Sequence, residues 1–174
     1  MSPTEYESQF RQWLDEHAGL LFKVVRSFAD GPHDSDDLLQ EILLQAWLSL
    51  PNFRAESKAT TWLYRVALNT ALAWKRRETK HRDRRRTLPL TLEVVDQRAA
   101  PGEPHSDHEA VDRLYEAVRA LAPSERALVL LYLDGLSYSE MAEVIGISES
   151  NVGVRLNRVK KSLAAQLKET HDVA

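Results

Sequence analysis

Cysteine is absent from the 174 residues, which excludes disulfides, thiolate nucleophiles and cysteine-ligated metal centres. Glycine and proline are scarce, at six and seven, and they cluster, so long stretches run without a strong breaker. No apolar run approaches the roughly 20 residues needed to cross a bilayer. The amino-terminal Met1-Ser2-Pro3-Thr4-Glu5 also lacks the basic-then-apolar order of a secretion signal. These absences point to a cytoplasmic chain with no membrane segment of its own. The abundant residues are Ala, Leu, Glu and Arg, all good helix formers, and the expected fold is all-α.

The net charge of −3 conceals a strong alternation. Residues 1–53 carry nine acids against three bases, a net of −6, and residues 54–86 carry eleven bases against three acids, a net of +8. Residues 87–153 return to −8 with twelve acids against four bases, and residues 154–174 end at +3 with five bases against two acids. Two basic blocks interleaved with two acidic ones suit a molecule whose separate surfaces meet DNA phosphates and a basic partner.

Phe10, Trp13, Leu14, Leu21, Val24, Val25 and Phe28 recur at helical spacing and predict one long or two abutting helices, ended by Asp30-Gly31-Pro32. A second helix opens near Asp34-Ser35-Asp36, where acids suit the positive end of the helix dipole. Its apolar stripe is Leu38, Leu39, Ile42, Leu43, Ala46, Trp47 and Leu50, and Asp37, Glu41 and Gln45, joined by Gln40, form an acidic edge. After a loop around Pro51-Asn52-Phe53-Arg54, a third helix is expected from about Thr60 to Arg77. Arg65, Asn69 and Arg76 share its outer face, Lys75 and Arg77 extend the charge, and Trp62 and Trp74 belong to its core side.

Residues 87–108 lose helical period and read as a flexible linker between a first domain, 1–86, and a second, 109–174. In the second domain Val111, Leu114, Tyr115, Val118 and Leu121 share one helix face, and Pro123 opens the next helix, closed by Asp134-Gly135. Ser137-Tyr138-Ser139-Glu140 is a capping box, Gly146 ends the short helix it starts, and Ser148 caps a longer one. Short helix, three-residue turn and long helix make a helix-turn-helix, whose second helix enters the major groove of DNA. That helix divides cleanly, with Val152, Leu156, Val159, Leu163 and Leu167 forming the core stripe. Ser150, Val154, Asn157 and Lys161 lie opposite, flanked by Asn151, Arg155, Arg158 and Lys160.

Nothing suggests catalysis or a bound cofactor. His105 and His108 are neighbours without a third ligand at helical spacing, so no metal site is expected, and no nucleophile, carboxylate pair or glycine-rich loop is arranged for chemistry. The basic block at 75–86 would by itself be an ordinary solvated face. Beside a DNA-reading helix it favours phosphate contact, and the loop residue Phe53 is placed to stack on an unpaired base.

Four segments in order resemble the extracytoplasmic-function sigma factors: Asp34-Ser-Asp-Asp-Leu-Leu-Gln-Glu41, Phe53-Arg-Ala-Glu-Ser57, Thr61-Trp-Leu-Tyr-Arg-Val-Ala-Leu-Asn69, and Gly135-Leu-Ser-Tyr-Ser-Glu-Met-Ala142 continuing to Ile145-Gly-Ile-Ser148. The resemblance implies that Asp34, Asp36, Asp37, Gln40 and Glu41 dock on the coiled coil of the largest subunit, β′, of core RNA polymerase. It implies that the loop and third helix recognise and melt the minus-ten promoter element. Asn52, Phe53, Arg54 and Lys58 would act from the loop, with Arg65, Asn69, Lys75, Arg76 and Arg77 on the helix; Phe53 and Asn69 match positions near a flipped-out base. The minus-thirty-five element would fall to Ser150, Asn151, Gly153, Val154, Arg155, Asn157, Arg158 and Lys161. An anti-sigma factor is the further partner implied.

Two departures from the family pattern stand out. Ala59 and Thr60 replace the usual phenylalanine and arginine after the loop, which implies an altered melting loop. Gly153 and Val154 stand where polar side chains are common, which implies close backbone approach to DNA, a thymine-methyl contact and an unusual upstream element. The alternative is a stand-alone helix-turn-helix regulator, which would not support transcription when added to core polymerase.

Overall fold

The computed structural model describes residues 3–54, 57–86 and 106–172. Among them are seven α-helices and no strand: α1 (Pro3–Phe28), α2 (Pro32–Ser49), α3 (Ala59–Arg86), α4 (Ser106–Ala120), α5 (Pro123–Leu133), α6 (Tyr138–Ile145) and α7 (Glu149–Asp172). A single 3₁₀ turn, Leu50–Asn52, leads out of α2.

Helix α1 is two helices meeting at His17, whose φ of −124° and ψ of 15° lie outside the helical range. Its second half buries Leu21, Val24, Val25 and Phe28 against α2 and α3. Helix α2 begins with Pro32 in its first turn, two residues before the expected Asp34, because proline needs no donor there and its φ is already helical. Leu38, Ile42, Ala46 and Leu50 are buried as expected. Trp47 is not: it is 38% exposed, its ring meeting Phe10 edge-on at 5.3 Å. Helix α3 does not stop at Arg77 but continues through the arginine-rich residues 82–86, since arginine is a good helix former and cations suit a helix carboxyl terminus.

The capping box forms in full. The Ser137 hydroxyl accepts from the Glu140 N–H at 3.2 Å, and the Glu140 carboxylate accepts from the Ser137 N–H at 2.9 Å. Gly146 terminates α6 at φ 77°, a left-handed conformation that favours glycine. Ser148 then accepts from the Asn151 N–H at 3.3 Å, opening α7.

The expected linker falls outside the described residues for 87–105, and residues 106–108 are the first turn of α4. The two helical groups pack against each other. Helix α6 packs on α3, and α4 and α5 pack on α1. One apolar cluster runs from Trp13, Phe28, Leu63 and Leu68 into Leu128, Leu131, Met141 and Leu156. A smaller cluster, Val118, Leu121, Val129, Val159 and Leu163, belongs to the second group alone. Each fully buried Leu, Phe or Met side chain contributes about 1.5–3 kcal/mol.

Arg126 joins the groups from a buried position, 7% exposed. It donates to the Ser27 carbonyl at 2.8 Å, the Leu121 carbonyl at 3.1 Å and the Arg119 carbonyl, and its guanidinium lies 5.1 Å from the centre of the Phe28 ring. Burial lowers its pKa, with Asp30 opposing. Ser27 and Arg119 sit in the last turns of α1 and α4, so one cation meets the negative ends of two helices.

Candidate functional site

Three surfaces gather the residues singled out by the sequence. The first is the outer side of α2. Asp36 and Gln40 are exposed, and Asp34, Asp37 and Glu41 are half-buried. Asp37 lies 3.8 Å from His33, one turn earlier. Glu41 holds Arg77 through both carboxylate oxygens at 2.6 Å, so an acid expected to meet a partner is already neutralised within the chain. Beside the acids Leu44, Trp47 and Leu48 are 53%, 38% and 59% exposed, a larger apolar group than a solvated helix face needs. Sequence reading missed Leu44 and Leu48. The available signal was two leucines left outside the stripe that faces the core.

The second surface runs from the loop onto α3. Asn52, Arg54, Lys58, Asn69, Arg76 and Arg77 are exposed, and Arg65 is half-buried. Phe53 is not free to stack outward as expected. It is half-buried in an aromatic triad, edge-on to Trp13 at 4.9 Å and tilted against Trp62 at 5.4 Å, because the 3₁₀ turn folds the loop back over α1. Lys75 also departs from the expected outer face. Its side chain is only 13% exposed and bridges Asp30 and Glu78, both at 2.8 Å. Lys58 donates to Glu140 at 2.7 Å, and Arg65 pairs with Glu143, both acids lying on α6.

Two further bases of α1 follow the same rule, Lys23 pairing with Asp134 and Arg26 with Asp112. Arg26 also stacks on the Tyr115 ring, 4.1 Å from its centre. Between the Lys23–Asp134 and Lys58–Glu140 pairs lies a cleft of about 480 Å³, bordered also by His17 and Tyr64. The Tyr64 hydroxyl and Arg65 Nε are buried without a protein hydrogen-bond partner. A buried polar group left so costs about 1–3 kcal/mol.

The third surface is α7. Val152, Leu156, Val159 and Leu163 are buried, while Ser150, Asn151, Val154, Asn157, Arg158, Lys160 and Lys161 are exposed; the side chain of Leu167 lies outside the described residues. Arg155 donates to the Ser124 hydroxyl at 2.9 Å and Lys160 to the Tyr132 hydroxyl at 3.0 Å. A Cβ at Gly153 would touch the Tyr138 ring of α6 at 3.4 Å, an ordinary contact distance. Val154 is 59% exposed in the middle of the polar face.

No described helix is long and apolar enough to cross a membrane. Comparison with known proteins accounts for both groups. Residues 13–81 match the family described as Sigma-70 region 2, and residues 112–163 match Sigma-70, region 4. The ECF RNA polymerase sigma factor SigX of Bacillus subtilis is 29% identical over 160 residues, covering 90% of this chain and 82% of SigX. The RNA polymerase sigma factor YlaC of the same organism is 28% identical, covering 95% and 94%. Two solved structures share the fold: RpoE of Bartonella quintana bound to the anti-sigma factor NepR, and CnrH bound to the cytosolic domain of CnrY. RpoE superposes with a TM-score of 0.69 at 21% identity, covering 92% of this chain and 97% of that one. CnrH gives 0.64 at 24%, covering 94% and 90%. A region 2 followed by a region 4, within relatives aligned along nearly the whole length, is more than a helix-turn-helix alone supplies, and the chain belongs to the extracytoplasmic-function group of the sigma-70 family of RNA polymerase sigma factors.

Proposed function

We propose that the chain divides the work of initiation among its three surfaces. The outer side of α2, with Asp36, Asp37 and Gln40 beside Leu44, Trp47 and Leu48, docks on the coiled coil of the polymerase's largest subunit. Acids beside exposed apolar side chains suit a protein partner rather than DNA. The loop and α3 engage the minus-ten element through Asn52, Arg54, Lys58, Arg65, Asn69 and Arg76. Phe53 joins them only by leaving its aromatic triad. Helix α7 reads the minus-thirty-five element, with Val154 against a thymine methyl and Arg158 and Lys161 on phosphates. The chain acts in the cytoplasm, and it opens DNA by binding energy without chemistry of its own. An anti-sigma factor is a fitting partner, since RpoE of Bartonella quintana forms a complex with the anti-sigma factor NepR.

The single observation that carries this reading is α7, where a fully buried stripe backs an exposed polar and basic face behind a capped turn. The test is transcription from a genomic template library by core polymerase with and without the purified chain. Specific start sites that appear only with the chain support the reading. Paired Asp36→Asn and Asp37→Asn should reduce polymerase capture by at least tenfold while the circular dichroism spectrum stays unchanged; undiminished capture would sink the docking assignment.

A further inference from the structure

Helix α1 is held unequally on the two sides of His17. After it, Leu20, Leu21, Val24, Val25 and Phe28 are all buried. Before it, among residues 4–16, Trp13 alone is buried, and Tyr6, Phe10 and Leu14 are only partly covered. The non-helical backbone at His17 separates the two halves, so the first is the loosely held end of α1. Yet that end carries the side chain that closes on the loop. Trp13 meets Phe53 edge-on at 4.9 Å and Trp62 at 5.4 Å, and Phe53 meets Trp62 at 5.4 Å, so each ring touches the other two. We propose that Trp13 is a positioning residue for promoter melting: it clasps Phe53 in the free chain, and the first half of α1 swings about His17 to let that ring go.

The inference rests on the reading of the loop as part of the minus-ten surface and adds the residue that governs its stacking ring. The two ring partners of Phe53 are not equivalent. Trp62 belongs to α3, which Leu63, Ala67, Leu68 and Ala71 fix in the core, so it cannot withdraw without unpacking the helix. Trp13 can, because little else holds its half of α1. The other ring contact of that half, Phe10 with Trp47 at 5.3 Å, lies at the partly exposed surface of α2. Charge favours the withdrawal when a promoter arrives. Residues 4–16 hold Glu5, Glu7, Asp15 and Glu16 against Arg11, a net of −3, and phosphates repel such a segment. The clasp is also of a suitable size. An edge-on ring pair shifts an equilibrium by about two- to tenfold, enough to keep Phe53 in without locking it there.

The test uses polymerase carrying this chain on a promoter recovered from the template library, with 2-aminopurine in its minus-ten element. At saturating enzyme the rate constant of the fluorescence rise reads opening, and unlike the amplitude it is unaffected by any chain that has failed to fold. Trp13→Leu removes the ring and should speed opening by about two- to tenfold, because a larger fraction of Phe53 is free. Trp13→Phe keeps an aromatic edge and should stay within about twofold of the unaltered chain. Gly19→Ala should act in the opposite direction and slow opening by up to about fivefold. Position 19 is exposed, a Cβ there meets nothing within 4 Å, and alanine stiffens the helix two residues past the break. In a Phe53→Leu background Trp13→Leu should no longer matter. Opening that is unchanged or slower with Trp13→Leu, unchanged or faster with Gly19→Ala, or equally accelerated with and without Phe53 would each overturn the proposal. Phe53→Leu by itself separates the proposal from the reading beneath it. If that change leaves opening normal, the loop assignment fails and takes the clasp with it; if it slows opening while Trp13→Leu does not hasten it, the assignment stands and the clasp alone falls.

Discussion

Two helices of this chain, α3 and α7, present basic faces, and they differ in what those bases touch. On α3, Arg65, Lys75 and Arg77 each hold a carboxylate, and Lys58, just before the helix, does the same. On α7, the hydrogen-bond partners of Arg155 and Lys160 among the described residues are hydroxyls, from Ser124 and Tyr132. A neutral hydroxyl leaves the cation's charge uncompensated, whereas a carboxylate cancels it at short range. A count of lysine and arginine therefore misjudges the two surfaces: Arg155 and Lys160 of α7 keep their charge uncompensated, whereas Arg65, Lys75 and Arg77 of α3 must exchange a carboxylate before meeting another anion.

The comparison can be broken most severely from inside α7. Leu156 is fully buried behind the exposed face, and Leu156→Ala should cost about 2–5 kcal/mol, read as a drop in the denaturant midpoint. Val154→Ala on the opposite side should leave that midpoint unchanged. Next in size is the salt response. Removing Arg158 and Lys161 together should flatten the dependence of duplex affinity on log salt by roughly 2, about 1 for each lost phosphate contact. Removing Lys75 and Arg77 in the free chain should change it far less, and an equal change would erase the distinction drawn above. Smaller again is Gly153→Ala. The added methyl meets the Tyr138 ring at ordinary contact distance and removes a helical glycine, so thermal stability should rise by up to about 1 kcal/mol.

The smallest effect concerns Glu140. The hydrogen bond from Lys58, then those from the Ser137 backbone and hydroxyl, hold its carboxyl down at about 2. A depressed carboxyl contributes stability that is complete above the unfolded value of about 4.3 and disappears as pH falls through the folded one. Any loss from this group therefore lies between about pH 4.5 and pH 2. Lys58→Ala should move the Glu140 titration, followed by side-chain carboxyl NMR, upward toward the ordinary range. The Ser137 cap should keep it from returning fully.

Much of this was legible in the chain because it is local. The capping box at Ser137, the left-handed stop at Gly146 and the stripe from Val152 to Leu163 follow from residues within one or two turns of each other. Phe53, Lys75 and Trp47 were misplaced for the opposite reason. Phe53 is held by Trp13, forty positions away, and Lys75 by Asp30, forty-five positions away; periodicity carries no record of such partners. The docking of α6 on α3 lies further still beyond it, since Lys58 and Glu140 are separated by 82 residues. Arg126 left a faint trace, a cation directly at the head of the apolar run Ala127 to Leu131. That pattern marks a buried cation but not the carbonyls awaiting it.

That arginine has a genetic consequence. Its planar fork serves carbonyls from Ser27, Leu121 and Arg119 at once, which a lysine's single ammonium on a flexible stem does not reproduce. A change at position 126 therefore injures the ends of two helices in different halves, and a substitution that displaces the Ser27 carbonyl should cost less once it is made. In a deep mutational scan the two neighbourhoods would surface as one epistatic unit, although they share no ligand and stand 99 residues apart along the chain.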